Sequence, residues 1–250
     1  MLKSLILAAA MLCLPARAAA TGYEVLTGGP FVPTPQQVVE QMLQVAGVSQ
    51  RDFVIDLGSG DGRIVLTAAQ KYRARGMGVD IDERLVEFSN QPARRLGVDS
   101  LAWFRQQDVM ETRISEATVL TLYLLPEMMR ALHMRIFSEL KPGARVVSHD
   151  FQFDGWLPDR SMTVDLEEKY HIHGKWKSSV HLWIVPAKIG GNWRMVVDAA
   201  AEKPAMLALR QDYQHVKGSI DRGAGAVQAV EGRLEGGLVR LTLPAAKGRR

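Results

Sequence analysis

Residues Phe53 to Gly62 read FVIDLGSGDG. A short apolar run meets an acid at Asp56, and Gly58, Gly60 and Gly62 then alternate with small polar residues. A helically periodic run, Arg63 to Tyr72, follows. The pattern is a buried strand, a tight glycine loop and a helix start. Glycine has no Cβ, so the backbone reaches positive φ and a ligand can approach it closely. The helix behind the loop offers free N–H groups to that ligand. A buried Asp56 carboxylate is costly without a partner, which calls for a cationic group on the ligand. Asp80 closes Gly78-Val79-Asp80. It stands roughly 20 residues beyond the loop, where an acid holds ribose hydroxyls in nucleotide-binding α/β folds. Asp82 is suited to capping the next helix. The spacing is GxGxG, not the GxGxxG that cradles a dinucleotide pyrophosphate, which disfavours an NAD enzyme.

A parallel sheet is needed to present these residues. The patterns predict a helix over Gln36 to Ala46, with Thr34 as its cap and Pro35 in its first turn. Strands at 53–57 and 76–81 and helices at 62–73 and 83–95 follow. A short strand near 101–104, a strand at 118–124, a helix at 127–140 and a strand at 144–148 complete the alternation. Such βα alternation implies a parallel sheet with helices on both faces. Val164 to Ile172 and Ser179 to Val185 read as a terminal pair of strands. Composition changes at Pro186, and five strand-like pieces separated by turns suggest a small all-β appendage over 190–244. A basic tail carries Lys247, Arg249 and Arg250. His149 and Asp150 end the fifth strand, on the edge where parallel sheets bind ligands. They are candidates to accept a proton or bind substrate, against the plainer reading of a hydrogen-bonded strand end.

The 250 residues, 47% of them hydrophobic, suffice for one sizeable core plus a small extra unit. A net charge of +4, two of the positive charges being Lys3 and Arg17, gives no footprint for nucleic acid. Residues 1–20 read as a signal peptide or N-terminal anchor. Lys3 is the positive start, Leu5 to Leu14 the apolar stretch and Ala16 to Ala20 the small residues for cleavage. The expected location is therefore periplasmic or exported, or membrane-anchored if the segment is not cleaved. The one cysteine, Cys13, lies inside this segment, so the mature chain would carry no disulfide and no thiolate metal site. His171, His173 and His181 are close in sequence, but no carboxylate stands at a ligand spacing. They read as exposed strand residues, and no metal site is expected. Trp176, Trp183 and Trp193 are expected to pack between the sheet end and the appendage.

The chain resembles the class I, seven-strand S-adenosylmethionine (SAM) methyltransferases, and within them the FAM173-type protein-lysine methyltransferases and their bacterial relatives. The resemblance rests on PFVPTPQQVV (Pro30 to Val39), DLGSGDGRIVLTAA (Asp56 to Ala69), GVDID (Gly78 to Asp82), LYLLPEMM (Leu122 to Met129) and LKPGARVVSHDF (Leu140 to Phe151). It implies a Rossmann-like seven-strand sheet over residues 30–187; the chain departs from the family in its cleavable-looking N-terminus and in the β appendage with its basic tail, 190–250. It implies SAM as cofactor, with Asp56, Gly58, Gly60 and Gly62 at the amino-acid end, Asp80 on the ribose and Asp108 on the adenine. Phe31, Thr34 and Pro35 would close over the cofactor as a lid, or else staple the first helix. Tyr123, at the end of the fourth strand, would face the methyl group, while Glu127 reads as a helix-start acid. The implied partner is a protein whose lysine is methylated, with membrane association through the N-terminus. A small-molecule methyltransferase and a non-catalytic SAM-binding envelope scaffold remain as alternatives.

Overall fold

The computed structural model describes residues 31–166, 177–196, 204–223 and 227–242. The proposed signal, Cys13, His171, His173, Trp176 and the basic tail lie outside the described residues.

The first element is helix α1 (Gln36–Val45), which puts Val38, Val39, Met42 and Leu43 on one wholly buried face. Five strands then alternate with three helices. They are β1 (Phe53–Leu57), α2 (Arg63–Tyr72), β2 (Arg75–Asp80), α3 (Glu83–Arg95), β3 (Ala102–Gln106), β4 (Val119–Leu122), α4 (Pro126–Glu139) and β5 (Arg145–His149). Two more strands, β6 (Arg160–Asp165) and β7 (Lys177–Ile184), complete a seven-stranded sheet of order β3-β2-β1-β4-β5-β7-β6. The first five strands run parallel, and β7 is antiparallel to both its neighbours. This is the Rossmann-like α/β architecture that the sequence implies.

Helix–sheet layers on both faces explain why β1 and β4 read as continuous apolar runs. On one face α1 and α2 pack Val38, Met42, Leu43, Ile64 and Ala68 against Val54, Val147 and Val180. Val65 and Ala69 of α2 extend that layer to Val86 and Ala93 of α3. On the other face Met129, Leu132 and Ile136 of α4 cover Ile55, Leu57, Leu120, Leu122 and Val146. Each such Val, Leu, Ile or Met side chain contributes about 1.5–3 kcal/mol by leaving water. Helix ends follow local chemistry. Asp82 caps α3 by accepting from Arg84 N, and Glu127 lies in the first turn of α4 after Pro126.

The chain departs from expectation at several points. Thr34 does not cap α1; Pro35 occupies the cap position with no side-chain bond, and the Thr34 hydroxyl turns to His149 instead. β6 starts at Arg160, not Val164, because an edge strand with only Val164 buried leaves little hydrophobic pattern to read. His181 is buried, not exposed, with Nδ1 2.8 Å from Ser161 Oγ. Burial pulls its pKa below the ordinary value. Trp193 is about half exposed, while Trp183 is wholly buried and donates from Nε1 to the Trp156 carbonyl.

A second, antiparallel sheet follows at the C-terminus. Its strands β8 (Gly191–Met195), β9 (Ala205–Asp212), β10 (His215–Asp221), β11 (Val227–Glu235) and β12 (Leu238–Thr242) pair in chain order as a meander. Ala205, Leu207, Leu209, Ile220 and Val230 form its apolar cluster. It attaches to the first sheet at the edge where β5 begins and β7 ends. Ala187 N donates to Gly236 O, and Gly236 lies against Gly143, just before β5. Arg233 pairs with Asp159 at the start of β6. Tyr213 stacks on Trp156, with ring centroids 5.4 Å apart and planes 8° from parallel, and on His133 at 5.4 Å. The carboxyl ends of the parallel strands lie at the opposite edge.

Candidate active site

The strand order reverses direction between β1 and β4. A crevice therefore opens beyond the carboxyl ends of these strands, the usual ligand site of open α/β sheets. The β1 end contributes Asp56 and the glycine loop. Gly58 N and Ser59 N both donate to Val79 O at 2.9 Å, which folds the loop back onto β2. Gly60 and Gly62 have φ of 54° and 77°, a region other residues seldom adopt. A Cβ on Gly62 would lie 2.5 Å from the Phe104 ring, and one on Gly60 2.3 Å from the Phe31 ring. Gly62 is thus required for conformation and for space; Gly60 is required for conformation, while the half-exposed Phe31 ring can shift aside.

Asp56 is buried, and its one side-chain hydrogen bond among the described residues comes from Thr121 Oγ1 at 2.7 Å. Burial pushes its pKa up to about 7, and the nearby Asp80 and Asp61 charges add to the rise. Asp80, at the β2 end, accepts from Gly60 N at 2.9 Å and from Asp82 N at 3.0 Å. Each of its oxygens therefore holds one backbone N–H and retains capacity for a further donor. Asp108 is exposed beyond β3 and accepts from Met110 N at 2.7 Å, with Val109 buried beside it. The Ser59 hydroxyl is buried without a hydrogen-bond partner among the described residues.

Tyr123 follows β4 directly. Its ring lies 4.0 Å from that of His149 and 6.2 Å from Phe151. Burial, aided by the Asp150 charge, pushes the Tyr123 pKa up to about 12, so the phenol keeps its proton at neutral pH. His149 is wholly buried, with Nδ1 3.1 Å from Thr34 Oγ1 and Nε2 2.9 Å from Ser178 Oγ. Asp150 has φ of 63° and accepts from Ser179 N at 2.8 Å. The structure thus gathers Phe31, Thr34, Asp56, the three glycines and Asp80 around one loop, and Tyr123, His149 and Asp150 around one strand end. Asp108 stands apart, at the β3 side of the same edge.

Three polar partners escaped the sequence reading. Thr121 holds Asp56, Ser178 holds His149, and Arg63 Nη1 donates to the Thr34 carbonyl at 2.7 Å. Arg63 lies in the helical run after the loop, where its long side chain gave no sign of reaching back to Thr34. The signal for Thr121 was a hydroxyl inside an apolar strand.

Residues 56–160 match the ANTKMT methyltransferase domain family. A protein-lysine N-methyltransferase of Saccharolobus islandicus is 39% identical over 157 residues, 62% of this chain and 93% of that protein. The chain belongs to the FAM173-type class I SAM-dependent methyltransferases. A mouse lysine N-methyltransferase named for one of the ATP synthase subunits is 34% identical over 132 residues, 53% of each protein, so this methyltransferase spans about half of that relative's length. A solved Salinibacter ruber structure, described as an RNA methyltransferase with S-adenosyl-L-homocysteine (SAH), is 48% identical. Its TM-score is 0.57, and the match covers 63% of this chain and 96% of that one.

SAM is the cofactor of this methyltransferase, and the residues present fit it. Asp56 is a buried carboxylate with no cationic partner among the described residues, which suits an amino-acid ammonium. Ser59 has an unused hydroxyl in the loop, and Asp80 has acceptor capacity for ribose hydroxyls. SAM, when bound, supplies an electrophilic methyl group. The protein then has to hold the acceptor in line, exclude water and keep the acceptor's lone pair available.

Proposed function

We propose that this methyltransferase transfers the methyl group of SAM to a lysine amine on a protein. The observation that carries this reading is the mouth at the β4 and β5 ends. It combines the aromatic rings of Tyr123 and Phe151 with the carboxylate of Asp150. Glu127 and Asp154 add acidic charge nearby, answered by Arg130 alone among the described residues there. Aromatic faces and carboxylates attract an ammonium and repel a phosphate backbone. The named activities of the Saccharolobus and mouse relatives support the same acceptor class. Tyr123, kept protonated, orients the amine through its hydroxyl and ring. Asp150 draws in the charged lysine, and its carboxylate accepts the proton that the amine gives up before it attacks the methyl group. Asp56 and Ser59 hold the amino-acid end of SAM, Asp80 the ribose and Asp108 the adenine edge. Phe31 and Thr34 close over the glycine loop.

A second reading, methylation of RNA, is favoured by the description of the Salinibacter structure. Incubating the full chain with methyl-labelled SAM and cell extract separates the two. Label is expected in protein, released as methyllysine on acid hydrolysis. Label confined to RNA would replace the lysine reading, and label only in small molecules would assign a metabolite methyltransferase. The extracts should include the envelope fraction, because we also read residues 1–20 as an export signal or anchor. Mass spectrometry of the mature N-terminus, with fractionation, tests that point. A start at Met1 in a soluble cytosolic pool would reject it.

A further inference from the structure

Residues 31–35 cross the ligand edge between two fixed points. At one end the Phe31 ring lies against Gly60; nearer the other, the Thr34 carbonyl accepts from Arg63. Arg63 Nε in turn donates to both Asp61 oxygens at 2.9 Å. At the other end the Thr34 hydroxyl meets His149, and His149 meets Ser178. Thr34 is 5% exposed, and His149 and Ser178 are 0% exposed. In the sheet β4 lies between β1 and β5. The segment therefore spans the strand whose end carries Tyr123, and the imidazole at its far end backs the Tyr123 ring.

We infer that Thr34, His149 and Ser178 form a latch that holds residues 31–35 closed over the cofactor. His149 is in this view a positioning residue for both the segment and Tyr123, not the group that takes the acceptor's proton. A base has to present a nitrogen to its substrate, at hydrogen-bond reach. Both nitrogens of His149 lie within reach of hydroxyls, and the ring is sealed from solvent. A hydroxyl both donates and accepts, so either neutral tautomer satisfies the chain Thr34–His149–Ser178. The product SAH has to leave before SAM re-enters. Breaking the Thr34–His149 bond opens that exit and removes one anchor of the imidazole behind Tyr123. Cofactor retention and acceptor alignment thus depend on the same ring. The inference rests on the methyltransferase assignment and is independent of the acceptor being lysine.

The test is the SAH dissociation rate from the full chain, read by stopped flow, with hydrogen exchange of residues 31–39 in the SAH complex. Thr34→Val keeps the shape and loses the hydroxyl. It should raise the dissociation rate about tenfold, as expected when one buried hydrogen bond is lost. It should also raise exchange in 31–39, and Thr34→Ser should restore both. Ser178→Ala, which loosens only the far side of the ring, should give a smaller rise and serves if Thr34→Val folds poorly. A wild-type rate in both Thr34→Val and Ser178→Ala would overturn the latch, as would a faster rate that Thr34→Ser fails to restore. Absence of SAH binding by the wild-type chain would overturn the cofactor assignment beneath it, and the latch with it.

Discussion

Two buried carboxylates at the two ends of β1 are treated in opposite ways. Asp52, just before the strand, is 7% exposed, and Asp56, near its end, is 2% exposed. Asp52 accepts from Ser49 N at 2.7 Å, from Ser49 Oγ at 3.0 Å, from Thr118 Oγ1 at 2.8 Å and from Arg145. Burial alone would raise its pKa, but Thr118, Ser49 and Arg145 together outweigh it and hold the carboxyl below the ordinary range. Among the described residues Asp56 has only Thr121, and burial dominates. One end of the strand is electrostatically complete within the chain. The other has no cation beside it among the described residues, at the edge where the cofactor binds. The contrast extends across the sheet. The C-terminal meander docks at the complete end, through Gly236, Arg233 and Tyr213, and leaves the incomplete end open.

The two carboxylates should give opposite pH dependence. Asp52 has a folded pKa below its unfolded value. Its stabilisation is present above the unfolded value, near 3.8, and is lost as pH falls through the folded one. Asp56 has a folded pKa of about 7 against an ordinary 3.8. The unfolded chain releases this proton first, so the protein without cofactor loses stability as pH rises between these values.

The largest effect is expected from Arg145→Ala, which strands Asp52. Stability should fall by about 3 kcal/mol in denaturant titration. SAH affinity of the folded fraction should stay unchanged. Asp56→Asn should do the reverse. SAH affinity in calorimetry should weaken by about 2 kcal/mol, the scale of a charge-assisted bond, while the cofactor-free protein melts higher at pH 8. A fall in both would show Asp56 to be an ordinary structural group. Asp80→Ala should weaken SAH binding by about 1.5 kcal/mol through the ribose hydroxyls and the loss of the Gly60 anchor. Tyr213→Ala, at the docked edge, should lower stability by about 1 kcal/mol through the lost stack on Trp156. SAH affinity should not change, and a drop would place the meander in the site.

What the sequence disclosed follows the same division. Strand β1, the glycine loop and Asp80 were legible because their chemistry is local and rests on spacing that only glycine and an acid can satisfy. Helices α1 to α4 were legible to within a residue or two at their ends because their apolar periodicity is strong. The second sheet was legible from its turns. Long-range polar pairing was hidden. Nothing near Thr34 in sequence announces His149, and a threonine before a proline-led helix resembles an ordinary cap. Ser178 is a serine among serines until β7 pairs with β5 and brings it beneath the imidazole. His181 looked exposed because alternation fails on β7, which is covered on both faces by the first sheet's layers.

The most direct test of the incomplete end is the pH dependence of SAH affinity, by calorimetry between pH 5.5 and 8. The ligand's ammonium requires Asp56 as the carboxylate, so below about pH 7 binding has to expel a proton. Affinity should rise with pH and level off near 7, with proton release on binding at the acid end, and Asp56→Asn should flatten both. A wild-type profile that is flat, or that falls with rising pH, would contradict the account.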